Sequence, residues 1–118
     1  MQDIHRIYHN DYGIAFQWKR DIKRGDIETI QLVFRNTGFY LNYKEIQEFY
    51  KKVQAAQRIQ KCKECTSKNK CENYLLQTPS DKVDLAVSKE ELIQIKDLIK
   101  GTLFQIELNG YINGICKN

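Results

Sequence analysis

Phe39-Tyr40-Leu41-Asn42-Tyr43-Lys44-Glu45-Ile46-Gln47-Glu48-Phe49-Tyr50-Lys51-Lys52-Val53 decides the fold. The apolar positions Phe39 and Leu41 alternate, which gives a strand one buried face. Asn42 then offers a side-chain oxygen to a free backbone N–H at a helix start. Glu45, three residues on, reaches back to the Asn42 N–H and completes a capping box. From there the apolar period lengthens to about 3.6 through Ile46, Phe49, Tyr50 and Val53.

Shifted by 46 residues, the same pattern returns. Phe39 and Leu41 fall on Leu85 and Val87, Asn42 on Ser88, Glu45 on Glu91, Ile46 on Leu92, Phe49 on Ile95 and Val53 on Ile99. Each capped strand is preceded by a partner. Ile30, Leu32 and Phe34 alternate before the turn Arg35-Asn36-Thr37-Gly38. Tyr74-Leu75-Leu76-Gln77 precedes the turn Pro79-Ser80-Asp81, and both turns carry suitable residues. The expected fold is therefore α+β, a mainly antiparallel sheet of six or seven strands built from two similar hairpin–helix units. The helices are expected at about 42–60 and 88–100.

Outward from this centre, Ile4–Tyr8 and Ile14–Trp18 flank Asn10-Asp11-Tyr12-Gly13 and read as an N-terminal hairpin. Gly101 reads as a helix stop. Phe104, Ile106 and Leu108 alternate up to Asn109-Gly110 and read as a C-terminal strand. The chain of 118 residues, 42% hydrophobic, suits one domain. Its parts are an N-terminal hairpin (1–27), a first unit (28–59), a cysteine-rich basic loop (60–73), a second unit (74–101) and a strand with tail (102–118). No apolar run nears the ~20 residues that cross a bilayer. The N-terminus lacks a cationic segment followed by an apolar stretch, so a cytoplasmic protein is expected.

Ile30–Asn42, the helix after it, and Leu75-Leu76-Gln77-Thr78-Pro79-Ser80 leading into Leu85–Ser88 resemble a small uncharacterised family of Bacteroidetes bacterial proteins. The resemblance spans roughly residues 28–100 and implies a small bacterial cytoplasmic domain. It carries over no functional residue.

The net charge of +4 is uneven. Lys51, Lys52, Arg58, Lys61, Lys63, Lys68 and Lys70 stand against Glu64 alone. Lys19, Arg20, Lys23 and Arg24 form a second cluster around Asp21. Such clusters either attract phosphate or cover a solvated face. Nucleic acid, if bound, is expected on Lys51, Lys52, Arg58, Lys61 and Lys63. Tyr8, Tyr12, Phe16 and Trp18 lie beside the second cluster, a combination that either stacks on unpaired bases or packs a core edge.

Cys62, Cys65 and Cys71 form C-x2-C-x5-C, and a two-residue spacer lets two thiolates converge on one ion. Zinc needs a fourth ligand, and Cys116 is preferred over His5 and His9 because all-thiolate sites suit structural zinc. Four residues apart on a strand, those two histidines are expected to face one side. With Asp3 and Asp11 nearby they offer either an acid–base pair or an open polar face. Ordinary thiols and a redox site remain alternatives. Glu45, Glu48, Glu90 and Glu91 are accounted for by helix N-termini. No phosphate loop, nucleophile elbow or metalloprotease motif occurs. The expected function is a non-enzymatic binding or adaptor module for a protein or an anionic partner. The alternative is a metal-binding (zinc or iron–sulfur) or thiol redox protein.

The cysteine spacing generates a direct test. Protein purified without chelator is expected to carry about one zinc per chain by elemental analysis. Less than about a tenth of an equivalent of zinc or iron rejects the site.

Overall fold

The structure is a computed structural model and describes residues 3–25, 28–60 and 74–113. It is α+β. Strands β1 (Ile4–His9), β2 (Gly13–Trp18), β3 (Thr29–Phe34) and β4 (Thr37–Asn42) form an antiparallel meander in chain order. A short helix α1 (Lys19–Lys23) links β2 towards β3, and α2 (Tyr43–Gln60) follows β4. Strands β5 (Tyr74–Gln77) and β6 (Asp84–Val87) pair as a separate two-stranded sheet, and α3 (Lys89–Asn113) ends the described chain.

Directly paired residues point to the same side of a sheet. Ala15 pairs with Leu32, Leu32 with Phe39, and Ile30 with Leu41. This side is covered by Ile46, Phe49 and Val53 of α2 and by Leu92, Ile95, Leu98 and Ile99 of α3, all of them buried. Tyr43 at the start of α2 donates a hydrogen bond to the Glu107 carboxylate, while Arg58 near its end shares a groove with Lys96. The two helices therefore run antiparallel across one face of the sheet. Phe34 sits among the rings of Tyr12, Phe39 and Phe49, with centroids 5.8, 5.7 and 6.3 Å away.

Both capping boxes form as the sequence implies. The Asn42 side chain accepts from the Glu45 N–H (2.8 Å) and Glu45 accepts from the Asn42 N–H (2.9 Å). Ser88 and Glu91 make the same reciprocal pair at 3.0 and 2.8 Å. The N-terminal hairpin also forms as expected. Its turn is held by Asn10, whose side-chain oxygen accepts the N–H groups of Tyr12 and Gly13 at 2.9 and 3.0 Å. The β3–β4 turn is tighter than the four residues expected. Arg35 and Asn36 alone make it, with φ of 53° and 60°, as a two-residue hairpin matched to strand twist requires.

Three expectations are corrected. The residues 104–108 are not a strand, and the helix expected to stop near 100 runs on to Asn113. Three apolar residues at alternate positions also fit a helix when others fill the gaps. Leu103 and Ile106 turn inward onto the core with Thr102, whereas Phe104 and Leu108 are exposed. Gly101 does not stop the helix; it seats the Tyr8 ring, and a Cβ there would come within 2.3 Å of that ring. The strands do not form one sheet of six or seven. The short β5–β6 hairpin buries Tyr74, Leu76 and Val87 in the helix-lined core rather than extending the larger sheet. It is tied by Lys52, whose ammonium donates to the Thr78 carbonyl at 3.3 Å. Independently of these corrections, β1 carries a bulge. Arg6 pairs with Phe16 and Tyr8 with Ala15, so Ile7 is an extra residue.

The seat at Gly101 yields a stability test. Gly101→Ala is expected to lose about 1–3 kcal/mol by overpacking, although alanine favours helix in the abstract. Denaturant unfolding measures it, and an unchanged or raised midpoint contradicts the Tyr8 contact.

Candidate functional site

Cys62, Cys65, Cys71, Cys116, Lys61 and Lys63 lie outside the described residues. Among the described residues, no three His, Cys, Asp or Glu side chains gather where they could hold a metal ion. His5 and His9 do not share a face, contrary to expectation. His5 pairs with Gln17 and His9 with Ile14, residues on opposite sides of β2, because the bulge at Ile7 inverts the alternation between them. They therefore make no joint site with each other.

On α2 the expected binding cations have different surroundings. Lys51 is exposed and pairs with Glu48 at 3.8 Å. Lys52 turns to the Thr78 carbonyl. Arg58 is exposed and borders a groove of about 250 Å³ with Gln54, Gln57 and Lys96. Seven residues apart, Lys51 and Arg58 share a helix face with Lys44.

A denser polar constellation joins the β1–β2 and β3–β4 turns to α3. Glu91 accepts the Tyr12 hydroxyl at 3.0 Å, and the Arg35 guanidinium lies 3.6 Å from the same oxygen. Arg35 also donates to the Ala86 carbonyl at 2.7 Å. Nearby, Asp97 accepts Tyr8 at 2.9 Å and Asn10 at 3.0 Å. The backbone N–H of Ser88, above all, holds the Glu91 carboxyl below the usual carboxylate range, and the Tyr12 hydroxyl and Arg35 add to this. Burial, then the bond to Glu91, pushes the Tyr12 phenol up. The bond to Asp97 raises Tyr8. An ionised carboxylate with three donors around it is a poor proton carrier. The cluster fastens two hairpin turns to a helix N-terminus.

The other side of the large sheet has a different character. Arg6, Phe16, Gln31 and Tyr40 form a paired row across all four strands. Phe16 faces away from the helix-lined core and is buried on this side, where its ring meets that of Trp18 near-perpendicularly at 5.0 Å. The Trp18 indole N–H donates to Gln31 Oε1 at 3.1 Å, and the Gln31 amide donates on to the Phe39 carbonyl at 3.3 Å. These bonds fix the plane of the indole. Helix α1 folds towards this side: its Asp21 is buried and accepts the hydroxyl of Tyr40, itself half exposed.

This arrangement aims the α1 cations at one place. The Arg20 guanidinium lies over the Trp18 ring, 4.8 Å from its centroid. Trp18, Lys19, Arg20, Lys23 and Asp3 line a surface cavity of about 560 Å³. Lys19, Arg20, Lys23 and Arg24 are all exposed, and the one acid within α1, Asp21, is engaged by Tyr40 and lies 3.8 Å from Arg20. Sequence reasoning noted the aromatics beside this basic cluster. It missed Gln31 and Tyr40, which no local pattern links to Trp18.

The chain matches no protein-family profile, no curated protein and no solved structure. Among the described residues, no helix is long and apolar enough to cross a membrane.

The Glu91 cluster predicts a pH dependence. A carboxyl whose pKa is lowered on folding stabilises above its unfolded pKa, and this is lost as pH falls through the folded value. Glu91→Gln retains the capping acceptor but not the charge. Wild type is expected to exceed it in urea stability near pH 7, with the gap closing as pH drops below the usual carboxylate range. A gap independent of pH contradicts the assignment.

Proposed function

We propose that this chain is a non-enzymatic binding module for an anionic partner, and that its contact surface is the corner between β2 and α1. The observation that carries this reading is the stacked Trp18–Arg20 pair at the cavity flanked by Lys19 and Lys23. A guanidinium held on an indole has already lost much of its conformational freedom. Its remaining N–H groups are presented to an oxyanion at a lower entropic cost than those of a free arginine. The described cations of α2 are less concentrated. Lys51 pairs with Glu48 at the same 3.8 Å that separates Arg20 from Asp21, and Lys52 turns to a carbonyl; what α2 lacks beside its cations is a stacked ring. The polar cluster at Glu91 is internally satisfied and supplies no nucleophile or proton relay.

The α2 stripe is the competing surface, and equal changes in net charge separate the two. The triple variant Lys19→Ala/Arg20→Ala/Lys23→Ala is expected to elute from a heparin column at clearly lower salt than Lys44→Ala/Lys51→Ala/Arg58→Ala. Equal elution of the two variants leaves only net charge at work. Earlier elution of the α2 variant moves the interface to the helix. Either result overturns the proposal.

A further inference from the structure

We infer that the ligand of the β2–α1 corner is single-stranded nucleic acid, with a base stacked on the Trp18–Arg20 pair and the adjoining phosphates held by Lys19 and Lys23, which line the cavity beside it. This rests on the reading of that corner as an anion-binding surface and adds the chemistry of what the anion is attached to.

Charge alone asks only for cations, and this corner holds more. The indole of Trp18 is oriented by three contacts: the Phe16 ring perpendicular to it, the Gln31 amide oxygen and the Arg20 guanidinium. A planar π-surface fixed in this way and bordered by cations matches a ligand that alternates flat heterocycles with phosphates. Acidic peptides and inorganic polyphosphates offer the charge without the flat groups. The cavity of about 560 Å³ falls within the ~300–1,000 Å³ of small-ligand sites, ample for a nucleobase. Tyr40, half exposed on β4, extends the surface across the sheet. It lies two strand spacings from Phe16 and a further two residues along β2 from Trp18, about 12 Å in all. Asp21 accepts the Tyr40 hydroxyl through one oxygen, while its other oxygen lies 3.8 Å from Arg20 Nε and offsets part of that charge.

A duplex does not fit the same geometry. Its base faces are stacked on each other, and reading their edges requires an element that enters a groove. Helix α1 has five residues and lies against the sheet through Asp21. What the corner offers is a stacked indole–guanidinium pair rather than a projecting element, which suits unpaired bases.

Trp18 is the chain's single tryptophan, so its fluorescence reports on this site alone. Titration with a ten-nucleotide oligothymidylate in low salt is expected to quench it. Polyphosphate, polyglutamate and an abasic strand of equal length are expected to bind more weakly and leave the emission largely unchanged. By anisotropy of a labelled oligothymidylate, Trp18→Ala is expected to weaken binding at least about fivefold, the lower range for base–aromatic stacking. Trp18→Phe keeps a ring and is expected to stay within about threefold, which guards against a general loss of structure in the alanine variant. The affinity should fall with salt at a log–log slope of about −1.5 to −2, as two or three phosphate contacts on a single strand imply.

Equal binding of the abasic strand without quenching overturns the stacking inference and leaves an anion-binding corner. Preference for polyglutamate overturns it in favour of an acidic protein partner. Preference for a duplex of the same length also overturns it. If neither heparin nor any of these probes binds the wild-type chain, the underlying reading falls as well.

Discussion

The constraint on which everything else rests is the covering of one side of a four-stranded meander by two antiparallel helices. Ala15, Ile30, Leu32, Phe34 and Leu41 supply the sheet side, and the stripes of α2 and α3 supply the other. Four rings meet at its centre: Phe34 with Tyr12, Phe39 and Phe49. Burial of large apolar side chains is the main favourable term in folding, and it acts only on faces that meet. Both helices are committed to one side. The opposite side must therefore be solvent-compatible or make its own arrangements. Here it does so with an edge-on aromatic pair, an amide chain and a short helix, and that is where the cations of α1 meet the chain's only indole.

The polar interactions divide along the same boundary. Between the sheet and α3, hydrogen bonds hold neighbouring elements in register. Asn10 shapes its own turn and also reaches Asp97 and the Gln94 carbonyl. Arg35 occupies a left-handed backbone conformation that costs a non-glycine residue energy. Its side chain offsets this by joining the turn to β6 and to Glu91. On the open side, the polar groups orient rings instead. The Gln31 amide does for Trp18 what Asp21 does for Tyr40. The first set of bonds explains why the fold holds together, and the second why one surface of it has a fixed shape.

Local rules were legible in the sequence, and non-local ones were not. Asn42 with Glu45 and Ser88 with Glu91 each form a complete unit within four residues, and both appear in the structure as read. The hairpin before Trp18 was likewise visible from its turn. The C-terminal strand was misread because Phe104, Ile106 and Leu108 alternate in sequence, while the helix buries Leu103 and Ile106 and exposes the other two. Gly101 looked like a stop because the ring it seats, that of Tyr8, is some ninety positions away. The bulge at Ile7 leaves no mark in composition, yet it separates His5 from His9 onto opposite faces. At the candidate site the sequence showed aromatics next to cations. Gln31 and Tyr40 joined them only once β2, β3 and β4 were laid side by side.

The same bulge has a consequence for the outer rim of the sheet. β1 is an edge strand, and a regular edge presents an unbroken row of backbone donors and acceptors on which another strand can grow. With Ile7 inserted, the spacing of those groups changes midway along six residues, and the exposed Arg6 sits just before the break. An incoming strand in regular register can match one half of the edge or the other, never both. The residue that lets Ile7 and Tyr8 pack inward together thus also protects this rim from strand-by-strand aggregation.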